Sequence, residues 1–130
     1  MIAALYASII TVWIYFLTFK VIKARQKNKV AYGDNNVDEL LIARSTHSNA
    51  VENSIIILIL LLLLELNGGY LWLVHLFGIT LLVGRFLHAN GMLKQALKKR
   101  VLGMQLTIFT AAGLVISNII FLPYDKLFSF

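Results

Sequence analysis

The chain has no cysteine, a single proline and few charges: 14% of its 130 residues are Asp, Glu, Lys or Arg. Without cysteine there can be no disulfide, no thiolate metal site and no cysteine nucleophile. The motifs HExxH and GxSxG and a phosphate-binding glycine loop are also missing. No internal repeat, low-complexity tract or separate linker divides the chain. A soluble domain carries about 25% charged and about 45–50% apolar residues. Here 59% are hydrophobic and the mean hydropathy is +0.80. A chain this short forms one domain with a modest core, too small to hide so much apolar surface. The excess must face lipid, which excludes a soluble enzyme.

What is present is a set of long uncharged runs. Ile2 to Phe19 is 18 residues without a charge, closed by Lys20. About 20 helical residues cross the hydrocarbon core. With no basic leader and no small-residue cleavage site, this run reads as a retained first span. Leu66 to Gly84 and Val101 to Leu122 are uncharged as well. Asn53 to Leu64 is too short to cross alone, so its helix must run back toward Leu40, carrying Glu52, Asn49, His47 and Arg44 with it. Asn67-Gly68-Gly69 marks a turn and Pro123 an end. The expectation is one all-α domain over residues 1–130, an integral membrane four-helix bundle of up-and-down spans at about 2–22, 40–66, 70–91 and 101–122.

The net charge of +6 sits in two clusters. Lys20, Lys23, Arg25, Lys27 and Lys29 follow the first span; Lys94, Lys98, Lys99 and Arg100 precede the fourth. Four alternating spans put both clusters on one side, which the positive-inside rule makes cytoplasmic, with both termini outside. Topology and anionic lipid explain these charges, and no nucleic-acid signature accompanies them.

Depth then follows from position. Arg44, His47, Asn49 and Glu52 fall in the first turns of span two; Arg85, His88 and Asn90 in the last turns of span three. Arg100, Gln105 and Thr107 open span four. Polar groups from every span therefore converge on one leaflet, while the outer half reads as almost purely apolar. Charges at mid-membrane cost about 2.5–3.5 kcal/mol each, so such residues are functional candidates. Asn49 and Glu52 are i,i+3 neighbours, as are Arg85 and His88; Arg44 and His47 lie further round the helix.

Structural readings stand beside the functional ones. Arg44 can snorkel to the headgroups, and Glu52 can pair with Arg85. Asn49, His47 and His88 can serve as inter-helix hydrogen-bonding groups. Glu65, at the outer end of span two, reads as solvated, and Tyr70 and Trp72 as an aromatic belt. Chemically, the cluster offers cations, a carboxylate, amides and imidazoles but no thiol and no metal set. Arginines can bind carboxylates and favour a thiolate. A small zwitterionic thiol with extra carboxylates matches these groups, and an apolar co-substrate can arrive from the lipid.

The elements His47-Ser48-Asn49-Ala50-Val51-Glu52-Asn53, Gly84-Arg85-Phe86-Leu87-His88, Ala31-Tyr32-Gly33-Asp34 and Arg100-Val101-Leu102-Gly103-Met104 together resemble the MAPEG superfamily. The name denotes membrane-associated proteins in eicosanoid and glutathione metabolism, and the likeness is to its small bacterial branch. It covers nearly the whole chain. The resemblance implies a homotrimer in a bacterial inner membrane, with glutathione as co-substrate bound between subunits near the cytoplasmic face. It further implies a transferase or peroxidase acting on lipophilic electrophiles or lipid hydroperoxides. Carried over by position, Asn49 and Glu52 contact glutathione, with Glu52 on its γ-glutamyl amino group. His47, Arg44 and His88 extend that site, and Lys23 or Arg25 meets a glutathione carboxylate. Arg100 or Arg85 stabilises the thiolate. The chain departs from the family pattern at Ser45, one residue after Arg44, at Met92, where a tyrosine is common, and in lacking a proline after Glu52.

Three other readings remain open on the sequence. The same scaffold can bind lipid or a partner without catalysis. A small proton-coupled exporter has this size but carries its glutamate in span one. His47 and His88 on one side allow bis-histidine haem ligation, without any haem motif.

Overall fold

The computed structural model describes residues 1–124; residues 125–130 of the expected domain lie outside the described residues. It contains four helices: α1 (Ala3–Asn28), α2 (Asp38–Leu66), α3 (Leu71–Leu93) and α4 (Leu97–Ile120). All four are long and apolar enough to cross a membrane. Connections of nine, four and three residues (29–37, 67–70 and 94–96) leave room only for up-and-down antiparallel packing. α1 and α3 thus run in the same direction.

Three of the helices extend past the uncharged runs, because a charged turn at a bilayer surface costs a helix nothing. α1 continues through Lys23, Arg25 and Lys27 to Lys29, whose left-handed backbone (φ 53°) lets its N–H close on Gln26 O. α2 begins at Asp38 and Glu39, two acids that complement the positive end of its dipole. α4 begins at Leu97, so Lys98, Lys99 and Arg100 are helical.

The core is thickest toward the end bearing the N-terminus, where Tyr6, Ile10, Leu61, Leu64, Leu81 and Leu114 interlock. Toward the basic end it narrows to Leu17, Ala50 and Ala89, then to Ala24, Val30 and Leu40. Small residues there let polar side chains enter. α3 and α4 pack most extensively, and Gly103 is the reason: a Cβ on it would run into the backbone of His88 and the Gly84 carbonyl. Val12, Ile56, Phe109 and many other large apolar residues lie on the outside, as a bilayer solvent requires.

Candidate functional site

Arg85 is the largest fully buried side chain, 1% exposed. Its Nε and Nη2 donate to Thr107 Oγ1 at 3.0 and 2.6 Å. Its Nη1 donates to Asn49 Oδ1 at 3.0 Å and, at 3.5 Å, to the Asn49 carbonyl. Thr107 in turn donates to Gly103 O at 2.8 Å. One guanidinium therefore ties α3 to both α2 and α4. A buried charge needs compensation, and here it comes from a hydroxyl, an amide and a carbonyl.

A pairing of Glu52 with Arg85 is not found. Neither residue takes part in an ion pair among the described residues; Glu52 is exposed and accepts only the Ser48 hydroxyl, at 2.7 Å. Residues three apart on a helix point about 60° apart. That angle is enough to set Asn49 against α3 while Glu52 faces outward.

The two histidines occupy different seams. His88 is buried and donates from Nδ1 to the Arg100 carbonyl at 3.0 Å, while its Nε2 is enclosed with no partner among the described residues. His47 lies against α1, 3.0 Å from Thr18 Oγ1. Since Thr18 spends its proton on Ile14 O, His47 Nε2 is the donor. One imidazole thus serves α1–α2 and the other α3–α4, so the structure does not bring them together.

Arg25 reaches back over the first loop and donates to the Val30, Ala31 and Gly33 carbonyls at 3.4, 3.1 and 3.1 Å. The loop thereby becomes a fixed wall, on which Asp34 accepts from Arg44 at 3.0 Å. Arg25, Arg44, His47 and Ser48 border a crevice of about 480 Å³. A second crevice, of about 560 Å³, lies between the start of α2 and the α3–α4 turn, lined by Asp38, Ser45, Gln95 and Arg100. Leu41 and Ser45 border both, so the two flank the same stretch of α2. Lys23 belongs to neither. It opens, with Lys20, onto a third crevice between α1, the start of α2 and the end of α3.

Open to ligand at the basic end are therefore Arg44, Ser45, Ser48, Glu52 and Arg100; Asn49 is half-buried, and Arg85 and His88 are inside. The open set offers two guanidiniums, one carboxylate and two hydroxyls (Ser45 and Ser48). It suits a small molecule bearing both an ammonium and carboxylates.

The far half of the bundle is not purely apolar, and Glu65 is not solvated. Glu65 is 11% exposed and accepts the Ile2 and Ala3 amides at 2.6 and 2.7 Å. It caps the start of α1, where free N–H groups and the dipole favour a carboxylate. The Tyr6 hydroxyl lies 2.7 Å from His75 Nδ1. Thr80 and Thr110 meet at 2.9 Å, and Asn118 Nδ2 donates to Leu60 O at 2.9 Å. His75 carried no motif that marked it in the sequence. Glu65 had a readable signal only if the chain's first amides were expected beside it.

Four membrane helices with a polar cluster at one end define a class, and comparison assigns the family. Residues 3–120 match the MAPEG family. The chain is 36% identical over 129 residues, 99% of its length and 98% of the relative's, to the inner membrane protein YecN of Escherichia coli strain K12. The YecN of Escherichia coli O6:H1 strain CFT073 matches to the same extent. The protein belongs to the MAPEG family of membrane proteins.

Proposed function

We propose that this protein is a glutathione-dependent transferase or peroxidase of the inner membrane, acting as a homotrimer on lipophilic electrophiles or lipid hydroperoxides. Its basic loops face the cytoplasm. The observation that carries the reading is Glu52, a carboxylate on an outward helix face whose neighbours further along are the exposed Ile55, Ile56 and Ile59. Leaving such a charge against lipid costs about 2.5–3.5 kcal/mol. A second subunit over that face, with an ammonium-bearing ligand between, removes the penalty.

Glutathione fits the open groups. Its γ-glutamyl ammonium takes Glu52, and its carboxylates take Arg44 and the serine hydroxyls. Arg100, exposed at the mouth of its crevice, holds the thiolate. Arg85 acts one step back, fixing Asn49 and the three-helix geometry on which Glu52 stands. The thiolate then attacks an electrophilic carbon, forming the C–S bond as the leaving group (chloride from a chloronitroaromatic) departs with the bonding electron pair. With a hydroperoxide it takes the terminal oxygen, a second glutathione closes the disulfide, and alcohol and water leave.

The test is calorimetric titration of glutathione into the detergent-solubilised oligomer, beside Glu52→Gln and Arg100→Gln, followed by turnover with a chloronitroaromatic electrophile and a lipid hydroperoxide. Binding weakened by Glu52→Gln, with turnover weakened by Arg100→Gln, is the expected pair of results. A second reading, lipid or partner binding without catalysis, rests on the enclosure of Arg85, which leaves Arg100 as the one accessible arginine of the catalytic pair. Saturable glutathione binding without turnover would favour it, and absence of binding to an intact oligomer would overturn the glutathione site.

A further inference from the structure

Two openings flank the seam between α1 and α3, away from the residues assigned to glutathione. Deep in the bilayer the seam opens into an apolar groove of about 460 Å³ formed by Ser8, Ile9, Val12, Trp13, Phe16 and Phe86. Its floor is aromatic: Trp13 stacks on Phe16 at 5.1 Å and meets Phe86 edge-on at 4.4 Å. Toward the basic end the seam leads to a crevice of about 520 Å³ walled by α1 (Lys20, Lys23), by the start of α2 (Asp38, Ile42) and by Leu93 of α3. Phe16 to Lys23 on α1 and Phe86 to Leu93 on α3 are matching steps of seven residues, about 10 Å along parallel helices. The two openings are thus in line, and Lys20 joins them with its Nζ 5.0 Å from the Phe16 ring centroid.

We propose that this seam binds one phospholipid with a primary-amine headgroup, its acyl chain on Trp13, Phe16 and Phe86 and its headgroup on Lys20, Lys23 and Asp38. Length supports an acyl chain. Ser8 to Lys20 is twelve residues, about 18 Å, against about 15 Å for half the hydrocarbon core. Charge selects the headgroup. Lys27 and Glu39 in the same crevice neutralise each other at 2.8 Å, which leaves Lys20, Lys23 and Asp38 to face a ligand. Two ammoniums receive a phosphate. The Asp38 carboxylate receives N–H donors, which a primary ammonium has and a trimethylammonium lacks. The same carboxylate repels a purely anionic headgroup. Asp38 also complements the α2 dipole, so the readout must be lipid preference and not stability.

The experiment uses the full chain carrying Trp72→Phe, so that Trp13 is the only tryptophan. It is reconstituted in phosphatidylcholine vesicles containing an equal minor fraction of mid-chain-brominated phosphatidylethanolamine, phosphatidylglycerol or phosphatidylcholine. Brominated phosphatidylethanolamine is expected to quench Trp13 most strongly. Asp38→Asn is expected to erase its advantage over phosphatidylcholine, and Lys20→Gln and Lys23→Gln to weaken it about five-fold each. Lys98→Gln with Lys99→Gln removes the same charge from α4 and is expected to change nothing. Phosphatidylglycerol quenching as strongly as phosphatidylethanolamine overturns the proposal, as does equal quenching by all three. So does absence of quenching, which would mean that a second copy covers the groove, and so does an equal effect of the α4 variants. None of these readouts involves glutathione.

Discussion

The two ends of this bundle treat their polar side chains differently. At the far end Glu65 closes on backbone amides, Tyr6 on His75, Thr80 on Thr110 and Asn118 on a carbonyl of α2. At the basic end Arg85 and Thr107 are equally well closed, but Glu52 is left on an exposed helix face and Arg100 opens onto a crevice. A polar group satisfied within its own chain contributes architecture. One left open at membrane depth needs something from outside the subunit, because lipid offers no partner. Polarity inside a membrane is thus not itself the mark of a site; unsatisfied polarity is.

Four substitutions test that distinction. The largest effect is expected for Gly103→Val, which drives a side chain into the α3 backbone at His88 and costs about 3 kcal/mol or more. Thermal unfolding in detergent measures it, and an unchanged midpoint would mean that α3 and α4 are not held by this approach. Next is Glu52→Gln, expected to lower glutathione affinity at least about ten-fold, since a charge-assisted hydrogen bond is worth about 1.5–3 kcal/mol. Its unfolding midpoint should not fall, Glu52 being exposed and bound only by Ser48. A large loss of stability with intact binding would reverse the roles given to the two ends.

Glu65→Leu is the counterpart at the far end. It leaves two α1 amides uncapped and is expected to cost about 1–2 kcal/mol of stability while leaving glutathione affinity unchanged, measured by the same two assays. The smallest effect is expected for Thr80→Val, which removes one hydroxyl contact between α3 and α4. Interhelical bonds of this kind average about 0.6 kcal/mol in membranes. A loss several times larger would mean that the far-end contacts act as one network.

Depth along each helix was legible in the sequence, because position fixes rise at about 1.5 Å per residue. That is why Asn49, Glu52, Arg85, His88 and Arg100 could be placed at one level from residue order alone. Rotation about the axis was not legible. α1 and α2 carry apolar residues nearly all round, so no stripe marks the buried side, and a lipid-facing surface is as apolar as a core. Hence Glu52 and Arg85 looked like partners by depth and prove to face different ways. Glu65 was misread for a related reason: a helix-end carboxylate looks solvated unless the neighbouring chain terminus is known to sit beside it.

The sequence by itself determined that this is a membrane protein of four helices with its basic groups gathered at one end. Long uncharged runs have no other stable environment, and basic clusters cannot lie within it. Only the tertiary structure decided which polar groups are consumed in holding the helices together. That choice depends on a few tens of degrees of helix rotation and on glycines that let α3 and α4 touch, and neither is written in hydropathy.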